Sequence, residues 1–444
     1  MKKNFSLYLL IPVIFSYGYL QARTQTTLDY QNRIHPEISS NFMVVSQNEH
    51  ATEAGYEVLR SGGNAVDAAV AVGFALAVTL PRAGNLGGGG FVLIYDKNKD
   101  KVSSIDYRSA APKSATSDLF LKDGDVVRFG HLVNAVPGSV AGLLKAHEDF
   151  GSLPLSDLLK PAIRLARDGF EVTYDLNFVL DWAKESMLVN PASRNKFYDS
   201  SEDPIAVKST FKQPKLAKAL FMISKKGRDI FYKGEIANWI SEESLSNGGL
   251  ITLDDMASYE AKYRIPIETN YRGFKIVSMP PAASGGLVLL QTLNILENFN
   301  IKDSGHNSAQ TIHILSEAMQ RAYADRAQYH GDPDYYNVPV KALLDKTYSS
   351  DLSKKILANR TPNGEIFEGD LKKYDESPDT THFSIIDAEG NAVSNTYTLG
   401  SSFGSGVTVE KGGFLMNNQM RNFSHFYGQV DAEYGTSEAN RLEP

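Results

Sequence analysis

Asp379-Thr380-Thr381-His382-Phe383-Ser384 (residues 379–384) is the stretch around which the rest of the chain is arranged. It divides a long helix-rich portion from a short tail rich in glycine and strand-like runs. Downstream, HFSII (382–386) alternates like a strand, DAEGN (387–391) supplies turn residues and AVSNTYTL (392–399) alternates again, so the three read as a β-hairpin. A threonine pair ahead of a strand is in most sequences ordinary β-propensity. A second reading carries more chemistry. If the chain is cut before Thr380, a hydroxyl and a new α-amino group sit on one residue, and an amine titrating at about 7.7–8.0 accepts the hydroxyl proton near neutral pH. Nucleophile and base then come as one unit, the threonine variant of an activated nucleophile.

The residues leading into the junction fit such a cut. Over 352–379, Asn363-Gly364, Gly369-Asp370, Lys372-Lys373 and Ser377-Pro378 read as an accessible loop. The chain has 444 residues, enough for one large mixed domain or two ordinary ones, and its 42% apolar and 22% charged residues describe a soluble globular protein. A net charge of -7 without any basic run gives no electrostatic case for binding nucleic acid. The absence of cysteine excludes disulfides, thiol catalysis and cysteine-based zinc sites, and leaves the compartment open. At the N-terminus, Lys2 and Lys3 precede SLYLLIPVIFSYGYL (6–20) and Gln21-Ala22-Arg23, the pattern of a secretory signal over residues 1–22. Pro12 and the short apolar run weigh against a stable membrane span. The expectation is a periplasmic or secreted protein.

In chain order, FMVVSQ (42–47) reads as a strand, His50 to Arg60 as a helix stopped by Ser61-Gly62-Gly63, and Asn64 as the start of a second, Ala-rich, buried helix ended by Pro81. AGNLGGGG (83–90) follows. Its glycines imply close backbone approach, with packing preferred over ligand contact; a phosphate loop is a poor fit because no Lys-Ser/Thr follows. Arg108 closes the alternating run SSIDY (103–107), where an arginine is either salt-bridged or, for a site that grips a carboxylate, a planar fork. HLVNAVPGSVAGL (131–143) reads as strand, turn and helix start, and 144–270 as mostly helical. Residues 306–333 form a long amphipathic helix with Ile312, Leu315, Met319 and Ala322 on its apolar side. His313 and Glu317 stand four apart on that helix, but no third ligand accompanies them and no metal site is expected. Near the end, Asn417, Asn418, Gln419 and Asn422 cluster; amides so placed either bind a polar substrate or tie turns together.

These stretches together resemble the γ-glutamyltranspeptidase family (glutathione hydrolase proenzymes) of the N-terminal-nucleophile hydrolases. The likeness runs over about residues 42–444 and lies in SGGNAVDAAVAVGFALAV (61–78), AGNLGGGGF (83–91), AVPGSVAGL (135–143), RAYADR (321–326), TTHFS (380–384), GNAVSNTYT (390–398) and GFLMNNQM (413–420). The resemblance implies an α+β fold, a four-layer αββα sandwich. It also implies self-cleavage between Asp379 and Thr380 into a large chain, 23–379, and a small chain, 380–444. Thr380 then matches the nucleophile that forms an acyl-enzyme, Thr398 the second threonine that orients it, Arg108 the holder of the substrate α-carboxylate, and Gln419 a residue near its α-amino group. The implied substrates are glutathione and other γ-glutamyl amides, and the partners are the chain's own two cleavage products. No cofactor is expected.

Three departures from the family pattern bear on activity. Asn422 stands where the family usually has the aspartate that pairs with the substrate ammonium, and a neutral amide forfeits a charge-assisted bond about twice as strong. Gly400 replaces an asparagine, and Arg421 a second acid, adding positive charge beside the pocket. These changes favour acyl groups without an amine, such as glutaryl, so an acylase is the competing reading. A further departure is that EANRLEP (438–444) closes the sequence where the family continues into a Ser-Ser clamp and a Gly-Gly oxyanion hole. The expectation is an incomplete small chain lacking that electrophilic half-site; the further alternative is an inactive remnant. Tyr427 is the match to a lid residue.

Overall fold

The computed structural model describes residues 37–122, 125–362, 366, 380–425 and 438–442. The signal segment, Asp379 with the loop before it, and Tyr427 lie outside the described residues. Within Asn41–Pro444, the polar sequence around residue 48 starts the first helix. The Asn48 side chain accepts the amides of His50 and Ala51 and caps α1, Glu49–Arg60. Asn64 and Asp67 form a reciprocal capping box on α2, Ala65–Thr79, every residue of which is buried. The buried Asp67 side chain is satisfied because Ser152 donates to it through both Oγ (2.6 Å) and its amide (2.9 Å).

The strands that build the layers are β1 (Met43–Val45), β2 (Gly89–Asp96), β3 (Lys101–Tyr107), β4 (Lys262–Arg264), β5 (Ile267–Tyr271), β6 (Phe274–Ser278), β7 (Thr380–Ile386) and β8 (Ala392–Thr398). One antiparallel six-stranded sheet has the order β1-β7-β8-β2-β3-β4. The 380–398 hairpin is therefore central, with β1 on one side and β2 on the other. One sheet face packs on α2 and on α3 (Ser139–Phe150). Over the opposite face lies the β5–β6 hairpin: Val277 shares a cleft with Met43, Leu93, Tyr95 and Ile386 of the large sheet. Behind that hairpin pack α4 (Ser284–Leu296), then α5 (Ala309–Tyr329) and α6 (Lys346–Lys354). Helices, sheet, hairpin and helices stack in that order, which is the αββα arrangement of an α+β protein.

The glycine run packs backbone against backbone. A Cβ on Gly89 would lie 2.5 Å from the Ser109 amide, and one on Gly90 or Gly88 would meet the carbonyls of Thr396 or Thr398. Three local expectations are corrected. His131–Val133 is a 3-10 turn and Val136 only bridges Ala110, so the segment leading directly into α3 is not a strand. Lys262–Arg264, expected within helical sequence, is an edge strand, fixed because Arg264 pairs with both Asp106 and Asp334. On α5, Ile312, Leu315 and Met319 are exposed, and the buried side is Ile314, Glu317, Ala318, Arg321 and Ala322. The small Ala318 and Ala322 allow close approach, and the buried Arg321–Glu317 pair, 2.7 Å, is completed by Thr361.

Candidate active site

Strict alternation along β7 leaves Thr380, His382 and Ser384 exposed and buries Thr381, Phe383 and Ile385. Thr380 pairs directly across from Thr398 on β8, and His382 from Thr396, so both hydroxyl-bearing threonines lie on one face. The Thr398 Oγ1 accepts the Gly400 amide at 3.0 Å. Gly400 has a φ of +101°, and a Cβ there would collide with Asn418 Oδ1. The glycine that replaces an amide at this position is thus what the turn after β8 demands. His382 is held by Thr396 Oγ1 (2.7 Å) and Ser384 Oγ (3.1 Å), and burial pushes its imidazole pKa down.

Beside this pair opens a cavity of about 780 Å³ whose wall includes Arg108, Gln419 and Asn422. Thr380 and Thr398 are not in that wall. They are joined to it in two ways: Gln419 Nε2 reaches the Thr398 carbonyl at 3.4 Å, and Thr398 lies in register with Gly89, which abuts Ser109. The backbone of Arg108 is fixed at both ends, its amide donating to Asp106 Oδ1 (3.0 Å) and its carbonyl accepting the Tyr259 hydroxyl (2.9 Å). Its guanidinium stands 6.0 Å from the Phe91 ring centroid. Burial lowers its pKa, opposed by Asp106 and Asp332, and a guanidinium remains charged regardless. A half-buried cation in the wall of a cavity is suited to a carboxylate.

The amide cluster divides its labour. Asn417 donates to the carbonyls of Gly87 (2.7 Å) and Ala135 (2.8 Å) and accepts the Ala135 amide (3.0 Å), and Asn418 accepts the Ser401 amide at 2.9 Å. Those two tie loops together. Gln419 and Asn422 face the cavity. Arg421, expected to add charge beside the pocket, is buried and donates to Ser401 Oγ at 3.1 Å instead. His313 meets the Leu357 carbonyl at 2.7 Å, apart from the Glu317–Arg321 pair.

Residues 51–444 match the sequence profile described as Gamma-glutamyltranspeptidase. The chain belongs to the γ-glutamyltranspeptidase family. It is 45% identical to a glutathione hydrolase proenzyme of Escherichia coli (strain K12) over 92% of this chain and 72% of that protein. The crystal structure of Helicobacter pylori γ-glutamyltranspeptidase superposes with a TM-score of 0.73 at 40% identity, covering 75% of this chain and 97% of that one. A cephalosporin acylase from Bacillus halodurans gives 0.77 at 28% identity, covering 93% and 76%. In this member of the family the cavity also recruits Asp106, Arg326, His330 and Asp332, which sequence reasoning did not single out as site residues. RAYADR was legible as a motif, but its helix phase was assigned from bulky apolar residues. The approach of Asp332 to Arg108 depends on β4 joining the sheet.

Proposed function

We propose that the chain is an exported, self-processing γ-glutamyl hydrolase/transferase acting on glutathione and other γ-glutamyl amides through an acyl-enzyme on Thr380. The observation that carries this reading is the register that sets Thr380 opposite Thr398, next to a cavity with the Arg108 guanidinium in its wall. Cleavage at Asp379–Thr380 divides residues 23–379 from 380–444, after removal of residues 1–22, and the word proenzyme in the name of the E. coli relative supports a maturation step. The freed α-amine takes the Thr380 proton as Oγ attacks the γ-carbonyl, the leaving amine departs, and water or an acceptor amine releases the acyl group. Thr398, its own hydroxyl oriented by the Gly400 amide, fixes the attacking oxygen; Arg108 takes the α-carboxylate, and Gln419 and Asn422 flank the α-amino group. Among the described residues no helix is long and apolar enough to cross a membrane, and Lys2, Lys3 and the apolar run after them support export.

The test is processing. Intact-mass analysis of the expressed chain is expected to show a product beginning at Thr380, and Thr380→Ala to leave a single unprocessed chain. Two chains from that variant would contradict the assignment. Asn422 keeps a second reading in play, an acylase for acyl groups lacking an amine, since a neutral amide lines the cavity beside Gln419 and a cephalosporin acylase shares the fold. Comparing γ-glutamyl and glutaryl anilides decides between them.

A further inference from the structure

His330 ends α5 and lines the same cavity as Arg108 and Gln419, yet it is only 5% exposed. Its Nε2 lies 3.1 Å from the Ala282 carbonyl. A carbonyl can only accept, so Nε2 carries the proton and Nδ1 is left as a lone-pair acceptor. Among the described residues that Nδ1 has no hydrogen-bond partner, and neither have Gln419 Oε1 and Ser109 Oγ, both residues of the same cavity wall. Burial first, then the charges of Arg326 and Arg108, hold the imidazole neutral, with a pKa of about 4. Beside a half-buried cation, then, the cavity wall holds two acceptors that lack a donor, His330 Nδ1 and Gln419 Oε1, and the Ser109 hydroxyl, which can donate or accept. Such a set does not suit a second anion; it calls for a donor of hydrogen bonds attached close to a carboxylate.

We propose that His330 is a specificity-determining residue of the donor site: its Nδ1, together with Gln419 Oε1, accepts the α-ammonium of a substrate whose α-carboxylate is held by Arg108. This rests on the γ-glutamyl reading above and deepens it. Asp106 and Asp332 share the wall, so an ammonium does not enter an all-positive site. The neutral imidazole thereby supplies part of what Asn422 cannot.

Equilibrium binding of L-glutamate and of glutarate to the full chain, by calorimetry, tests this without requiring turnover. Two substitutions separate the ring nitrogens. His330→Gln keeps a donor for Ala282 and removes the Nδ1 acceptor; His330→Asn places a carbonyl oxygen near the Nδ1 position. His330→Gln is expected to weaken glutamate about tenfold, the lower end for a hydrogen bond to a charged group, with glutarate unchanged, while His330→Asn retains most of the preference. An unchanged glutamate-to-glutarate ratio in His330→Gln, or equal weakening of both ligands, overturns the role of His330 and leaves the γ-glutamyl reading standing. A wild-type chain that does not prefer glutamate overturns both. Should His330→Gln fail to fold, loss of the preference in a folded His330→Asn overturns the proposal, and its retention supports it.

Discussion

Under the proposed function, the chemistry of a single side chain, Asn422, sets the balance between two substrates. The amide lines the cavity beside Gln419, and its own carbonyl is tied to Asn440 Nδ2 at 2.5 Å, so its place is fixed. Asn422→Asp restores a carboxylate there. It is expected to raise the kcat/KM ratio for γ-glutamyl over glutaryl anilide about tenfold, as one charge-assisted bond allows. An unchanged ratio would show that the ammonium does not sit beside this residue. Arg108 and Thr380 stand out in the sequence by type, an arginine at a strand end and a threonine that can serve as a nucleophile, and the family resemblance is what assigns them roles. His330 was not. An isolated histidine at a helix end has no signature until the Ala282 carbonyl fixes its tautomer and the cavity leaves Nδ1 unpaired.

The elements that hold the site depend on close contacts between small residues and aromatic rings. Tyr107 ends β3, is fully buried and donates to Asn395 Oδ1 at 2.7 Å, linking β3 to β8. A Cβ on Gly142 of α3 would overlap the Tyr107 ring. Gly142→Ala therefore should destabilise the protein by about 1–3 kcal/mol, through overpacking that outweighs the helix-propensity gain of roughly 1 kcal/mol. Chemical denaturation checks this, and a variant as stable as the parent would mean the ring has room to move. Several elements were readable in advance: the helix start at Asn64, the glycine stop after α1 and the 380–398 hairpin all follow from local residue chemistry. The phase of α5 was not, since periodicity counts bulky apolar side chains and its contact face is built from Ala318, Ala322 and an ion pair.

Across the whole molecule, acid should unfold the chain through groups that the fold keeps in one protonation state. His330 has a folded pKa of about 4, below the usual histidine value of about 6.5. Between those values the unfolded chain binds the proton and the folded chain does not. Its contribution is thus complete above about 6.5 and is lost as pH falls toward 4, by up to an order of 3 kcal/mol. Asp334 acts in the same direction at lower pH, because hydrogen bonds from Arg264 hold its carboxyl far below the ordinary range. Denaturant midpoints at pH 7, 5.5 and 4 should fall steadily in the parent and less steeply in His330→Gln. A parallel decline in both would place the acid sensitivity elsewhere.

The sequence by itself determined the 380–398 hairpin, through turn residues and alternation, and the family, through motifs whose residues are near one another in the chain; the layer order followed only from the family resemblance. Tertiary structure decided which polar groups meet. The pairing of Arg264 with Asp106 across more than 150 residues, the burial of Arg421 against Ser401 and the unpaired nitrogen of His330 all arise from packing. Whether a polar atom is satisfied depends on what the fold brings against it.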